Sequence, residues 1–334
     1  MVIRISTEYT RRGIDIVLLE SDYLRIEVLA GKGGDISRIV DKRTDVNILF
    51  ESPHRWGSPE DGYVGAPDGT FAYLDHYPGG WQSVVPAAGG PSKVAGAPFS
   101  LHGESCLTPF SVEETIDDED ELSVTLTARL RRYPIDVERT ISLAIDEPEL
   151  SVDETVTNHG EVAVDYSWLQ HIALGQPLID PDARLEVPCE RVLVDPEQAV
   201  DAARFTPGEE FDWPRYNGGE TVDLRKFPPK DERVHDLVAL TNLHDGHYTV
   251  ENTKIDLGVR VEFPLDLYEY IWYWQPLGGF TEAPFFGRNY NVGLEPCTSI
   301  PNAGLEEAIE NGTARTLEAG ESQRSQLSVS TYPV

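Results

Sequence analysis

Three titratable side chains set among aromatics and glycines are the residues here that could do chemistry. They are His102 in Leu101-His102-Gly103-Glu104, His171 in Trp168-Leu169-Gln170-His171-Ile172-Ala173-Leu174-Gly175, and Glu295 in Gly293-Leu294-Glu295-Pro296-Cys297-Thr298. A carboxyl between Leu294 and Pro296, near the aromatic run Tyr270-Ile271-Trp272-Tyr273-Trp274, loses solvation for its charged form. Its pKa should rise, the direction a general base working near neutral pH requires; the alternative is an exposed rim carboxylate. His171 on an apolar run reads either as a satisfied core histidine or as a group lining a cavity. His102 reads as a hydrogen-bond donor or acid, as a structural loop histidine or, with Glu104, as a metal ligand. A fourth segment, Tyr77-Pro78-Gly79-Gly80-Trp81-Gln82, combines two glycines, which let backbone approach a ligand, with a flat indole and an amide. Sugar rings stack their C–H faces on such indoles, while their hydroxyls need amides like Gln82.

The elements that must hold these residues are strands. With 28 Gly and 24 Pro spread along 334 residues, long helices have little room. Between these breakers, polar and apolar residues alternate with period two. Gly13–Leu19, Leu24–Leu29 and Asp35–Val40 form an opening set of strands. Leu122–Leu130, Ile135–Leu143, Leu150–Thr157 and Val162–Tyr166 read as a four-strand antiparallel meander with one face acidic. Later strands fall in Leu185–Val187, Leu237–Leu240, Tyr248–Glu251, Val259–Phe263, Tyr268–Trp274 and Ser325–Ser330. Because His171 directly follows the run reaching Tyr166, it falls at or near a strand end or on a face lining a cavity. Two long stretches, Glu51–Ser100 and Asp195–Asp231, read as loops, and the first suits the rim of a binding site. No composition shift marks a linker and no repeat recurs, so residues 1–334 read as one all-β domain, a large antiparallel β-sandwich.

Composition narrows the partners. The formal net charge is −31, from 58 Asp+Glu against 27 Lys+Arg. Such a chain repels phosphate backbones and anionic bilayers, which argues against nucleic-acid and membrane partners. The basic residues divide into 21 Arg and 6 Lys, and acidic residues are dispersed, densest at Asp117–Glu121. A hydrated acidic surface poor in lysine suits concentrated salt, so a halophilic source is expected. Cys106, Cys189 and Cys297 are too far apart for a disulfide framework or a zinc motif and read as free thiols. The amino terminus lacks an apolar signal segment and no run is long enough to span a bilayer, so a cytoplasmic location is expected.

Taken in order, the aromatic-Gly-Gly-Trp segment, His102-Gly103, His171 followed by Ala173-x-Gly175, and Glu295-Pro296 resemble the galactose mutarotase-like (aldose 1-epimerase) family. The opening Ala30-Gly31-x-Gly33-Gly34-Asp35-Ile36-Ser37-Arg38-Ile39-Val40-Asp41-Lys42 is similar to that family's glycine-marked hairpin. The resemblance spans about residues 20 to 330. It implies the supersandwich fold with an open carbohydrate cleft, and interconversion of the α and β anomers of a free aldose without a cofactor. On this resemblance Glu295 is the base that takes the anomeric hydroxyl proton, and His171 is the acid that protonates the ring oxygen. His102 hydrogen-bonds the sugar near that oxygen. Trp81, Gln82, Trp274, Gln275 and Arg288 would line the cleft.

The sequence also departs from the family. The Asn-Arg pair that better-known aldose 1-epimerases carry before the first histidine is absent, with Arg55, Arg288 and Lys32 as candidate replacements. Asp256 and Asp266 are candidates for the family's sugar-binding aspartate. The segment around Trp81 resembles the branch acting on sugar phosphates or less usual sugars, yet Glu104 stands where that branch often has an aromatic, and its charge would repel an anionic substrate. Two other readings stay open: a non-catalytic carbohydrate-binding protein on the same scaffold, and a metal site of His76, His102 and Glu104 on a cupin-like barrel. The expected partner is a small-molecule sugar, and the expected state a monomer or homodimer.

Overall fold

The alternating runs become strands whose apolar faces close on one another as two antiparallel sheets. The computed structural model describes residues 4–59, 69–117, 122–198, 202–219, 221–301 and 304–334. The larger sheet has 12 strands, and its middle is Trp81–Val84, Leu169–Gly175, Asn291–Cys297 and Tyr270–Leu277 in spatial order. The second sheet has eight strands, with Ser111–Asp117, Leu122–Arg129, Ile135–Leu143, Glu149–Asn158 and Ser322–Tyr332 consecutive in it.

The period-two pattern decides which face goes inside. In Ile135–Leu143 every odd position is buried and every even one at least partly exposed. One apolar cluster joins the two sheets, with Ile26, Ile36 and Trp81 from the larger meeting Val124, Val137, Val152 and Val329 from the smaller. Burying such aliphatic side chains contributes about 1.5–3 kcal/mol each, and it drives the closure of the sandwich. The exception is Arg139, fully buried between the sheets, whose Nε lies 3.3 Å from Glu154 Oε1 and whose Nη1 donates to Gly34 O at 2.9 Å. A buried guanidinium persists only when paired and hydrogen-bonded in this way.

One expected pairing is different. The run ending at Tyr166 does not continue the meander: Val164–Tyr166 pairs with Arg315–Leu317 in a separate two-stranded sheet, and Glu149–Asn158 has Ser322–Tyr332 as its neighbour. Asn158 makes the break. Its side-chain amide donates to the carbonyls of Val162, Leu317 and Glu318, turning the chain out of the sheet. Local alternation cannot distinguish a sequence neighbour from a partner arriving more than 150 residues later.

The larger sheet also carries apolar residues on its outer face. A second cluster holds Phe50, Tyr73, Leu74, Tyr77, Val84, Leu169, Trp272, Phe285 and Cys297, which come from central strands and the segments that cover them. These strands are therefore buried on both faces, and Leu169–Gly175 is buried at every position. Of the Glu51–Ser100 stretch, residues 60–68 lie outside the described residues. The rest forms the short helix Phe71–Leu74 and several short strands rather than a plain loop. Most of the acidic run Asp117–Glu121 also lies outside them. Among the described residues no helix is long and apolar enough to cross a membrane.

Candidate active site

Register across the central strands assembles the site. Gln82 pairs with His171 and Glu295 with Trp272, while the pairs Leu169–Cys297 and Ala173–Gly293 set His171 opposite Glu295. Side chains directly opposite in neighbouring strands point to the same face, so Gln82, His171, Glu295 and Trp272 make a row on the outer face. His171 Nε2 lies 3.4 Å from Glu295 Oε1. Gly293 makes room for that carboxyl: a Cβ there would stand 2.0 Å from Glu295 Oε1.

His102 reaches the row from the covering segment. Its ring centroid lies 5.3 Å from that of His171 and 4.9 Å from that of Tyr73. Tyr77 meets His171 edge-on at 5.5 Å. The turn leading to the first strand of the row depends on glycine. Gly79 and Gly80 both have φ of +82°, and a Cβ would stand 2.1 Å from Phe50 O at the first and 2.4 Å from Ile36 O at the second. His102 itself sits at φ 51°, a left-handed conformation that most non-glycine residues avoid. Its segment is anchored by Lys32, fully buried, whose Nζ donates to Asp35 Oδ2 at 2.5 Å and to Cys106 O at 2.8 Å.

Between these groups lies a cavity of about 240 Å³ lined by Thr70, Tyr73, Leu74, Tyr77, Gly89, Gly90, Leu101, His102, His171, Leu237, Trp272, Trp274, Phe280 and Glu295. Burial governs its electrostatics. It pushes the Glu295 carboxyl well above the usual carboxylate range and holds the His171 imidazole down to about 4. His102 is held well below the ordinary histidine range, by burial first and then by the neighbouring His171. Both shifts favour the uncharged forms, a protonated Glu295 carboxyl beside a neutral His171 ring. The Gly89 N–H donates to His102 Nδ1 at 3.2 Å, which assigns the proton of that neutral ring to Nε2 and makes this nitrogen a donor. Tyr77 Oη and His171 Nδ1 are buried with no protein partner.

The other residues singled out in the sequence fall as follows. Trp274 lines the cavity, its Nε1 3.2 Å from His235 Nε2. Gln82 lies below the lining, its Oε1 3.4 Å from Tyr73 Oη and its Nε2 donating to Gly79 O at 2.6 Å. Trp81 does not line the cleft. Alternation along its strand turns it into the core between the sheets, where Nε1 donates to Gln170 Oε1 at 2.8 Å and the Arg139 guanidinium lies 5.5 Å from the ring. Gln275 is turned away for the same reason, accepting from Arg204 Nη2 at 2.7 Å. Arg288 lies outside the lining, spending its guanidinium on the carbonyls of Pro53, Pro284 and Phe285.

The candidate stand-ins are elsewhere too. Arg55 borders a surface hollow beside Trp56 and His76, and Asp256 pairs with Arg43 at 2.9 Å on the exterior. Asp266 lends its backbone carbonyl to Arg315 Nη2 at 3.2 Å. Glu104 is spent on the backbone amides of Arg131 and Arg132, and among the described residues no three His, Cys, Asp or Glu side chains are grouped to hold a metal ion.

The sequence reading did not single out Tyr73, Leu237 or Phe280. Tyr77 and Trp272 lie in the segments around Gly79 and Trp274, and nearness to Gly79 or a two-residue offset from Trp274 was the available signal.

The fold is a large antiparallel β-sandwich like that of galactose mutarotase-like proteins. The chain is similar to a structure from Klebsiella pneumoniae subsp. pneumoniae MGH 78578, an aldose 1-epimerase by provisional assignment, with a TM-score of 0.74 and 17% identity over 99% of this chain and 83% of that one. It is similar also to a galactose mutarotase-like protein from Lactobacillus casei ATCC 334, with a TM-score of 0.64 and 16% identity over 95% and 100% of the two chains. A third likeness is to another provisionally assigned aldose 1-epimerase, from Escherichia coli K12, with a TM-score of 0.68 and 18% identity over 96% and 100%. At these identities the likeness is one of fold. The chain belongs to the family described as a domain of unknown function, DUF4432, whose model matches residues 11–331. No curated protein matches it.

Proposed function

We propose that this protein interconverts the α and β anomers of a free aldose, as an aldose 1-epimerase-like isomerase. The observation that carries the reading is the buried pair of Glu295 and His171, 3.4 Å apart on the floor of a cavity that a second imidazole overlooks. Opening a cyclic hemiacetal removes a proton from the anomeric hydroxyl and adds one to the ring oxygen. A pair holding one proton between two sites supplies both operations, and no electron changes hands. With the proton moved to His171, the carboxylate takes the hydroxyl proton while the imidazolium protonates the ring oxygen. The C1–O5 bond breaks to give the aldehyde. Rotation about C1–C2 and reclosure on the other face then yield the second anomer. The sugar's own hydroxyls stabilise the charged form of the pair, which burial otherwise disfavours. His102 Nε2–H, fixed as a donor by Gly89, serves the oxygen that gains charge.

Two-dimensional exchange NMR of anomer interconversion tests the reading. Glu295→Gln and His171→Asn should each lower kcat by about 10²–10⁴-fold, the usual contribution of a positioned acid or base. Wild-type rates in both variants would remove it. Binding of a sugar whose anomers exchange only at the background rate would assign the chain to non-catalytic carbohydrate binding instead.

A further inference from the structure

The wall of the cavity carries information about the substrate that the acid–base pair does not. No Lys or Arg is among the described residues that line it. None of the undescribed residues is Lys or Arg either, so every cation of the chain has a known place. The buried Lys32, whose charge is felt by His171, does not line the cavity and is committed to Asp35 and Cys106 O, and Arg288 is held by three carbonyls. An anionic sugar would bring a charge into an aromatic cavity with no partner for it, beside Glu295 and inside a chain of net charge −31.

Among the described residues, the titratable groups of the lining gather at one end. Strand order sets His171 and Glu295 on neighbouring strands, with Trp272 and Trp274 on the next and Leu237 on the one beyond, opposite Trp274. His102 and Tyr77 meet the His171 side. Among the described residues the far end, formed by Leu237, Trp274 and Phe280, offers a sugar no free side-chain hydrogen-bonding group: the Trp274 Nε1–H donates to His235 Nε2, and His235 stacks on Phe280 at 4.8 Å. A hydroxymethyl group placed there would be desolvated without a hydrogen bond, whereas a methyl group would gain by burial.

We propose that the substrate is a small, neutral deoxy-aldose, seated with its anomeric carbon at Glu295 and His171 and its deoxygenated edge against Leu237, Trp274 and Phe280. This rests on the mutarotase reading and narrows it to a substrate class.

The test is a series of sugars differing only at C6, carrying methyl, hydroxymethyl, carboxylate or phosphorylated hydroxymethyl. It is run in the galacto and manno configurations, with anomer exchange by the wild-type protein measured by NMR in molar salt. In at least one configuration, kcat/KM should be about tenfold higher for the 6-deoxy sugar than for the hydroxymethyl parent. It should be about 10²-fold or more below that parent for both anions. Faster exchange of the uronate or the 6-phosphate than of the neutral sugars overturns the substrate class and leaves the isomerase reading standing. So does a preference for hydroxymethyl over methyl in both configurations. Background exchange of every sugar overturns the isomerase reading itself, and the substrate class with it. Leu237→Arg gives an independent check on the seating: it should raise uronate exchange relative to the 6-deoxy sugar, and an unchanged ratio in the folded variant places the C6 edge elsewhere.

Discussion

Replacing His171 by Asn should make the protein less sensitive to acid, and the amount follows from burial. The imidazole is held down to about 4 from an ordinary value of 6.5 because the closed sheet face and its covering rings desolvate the charged form. A group with a lowered folded-state pKa contributes stability that is fully present above 6.5 and lost as pH falls towards 4. Held from 6.5 down to about 4, the imidazole contributes about 3 kcal/mol. Urea unfolding followed by circular dichroism in molar salt, at pH 7 and pH 4, measures it as a difference of differences. Wild type should lose about 3 kcal/mol more than His171→Asn over that interval. Surface carboxylates titrate alike in both proteins and cancel, as does any constant cost of the substitution. The sign is decisive. If His171 were instead an imidazolium paired with a Glu295 carboxylate, its folded pKa would be raised, and the wild type would gain on the variant as pH falls. Equal losses, or a gain, would refute the neutral pair and with it the shared-proton account of catalysis.

The pH dependence of kcat/KM should be broad, with an acid limb near pH 4 from His171 and an alkaline limb well above the usual carboxylate range from Glu295; an acid limb near 6.5 would contradict burial as the controlling cause. Glu295→Gln should be more stable than wild type at pH 8, because a raised folded-state pKa costs stability as pH rises above the unfolded value; thermal unfolding at pH 5 and pH 8 reads the change. Tyr77→Phe should leave stability unchanged or slightly improved, its hydroxyl having no protein partner, while raising KM about tenfold if that hydroxyl meets the sugar. Trp81→Ala should cost about 3–5 kcal/mol in chemical unfolding, since the indole fills the core rather than the cleft. Dialysis from molar salt into dilute buffer should erase the far-UV spectrum if the acidic surface needs screening, and calorimetry in high salt should show one cooperative transition if residues 1–334 form one domain.

Much of the architecture was legible because a sandwich strand with one face inside writes its alternation into the chain. Ile135–Leu143 appears at the bounds read from its residues, and Leu24–Leu29 likewise. The strands that build the site were harder to see. Leu169–Gly175 and Asn291–Cys297 are covered on both faces, so their outward positions are as buried as their inward ones and no alternation remains. The same double burial explains why Trp81 and Gln275 were placed in the cleft: a rich local composition does not say which way a side chain turns. One residue of parity separates Trp81, in the core, from Gln82, beneath the cavity wall.

The sequence by itself determined the all-β class and the acidic surface, because these follow from period, breakers and charge, which are properties of neighbours along the chain. It also marked His102, His171 and Glu295 as unusual for their surroundings. Only the tertiary structure decided that these three meet, since strand order and register bring together positions nearly two hundred residues apart. It also decided that burial drives both members of the pair toward their uncharged forms and that no Lys or Arg lines the cavity, because desolvation and direction depend on what covers a side chain rather than on what precedes it.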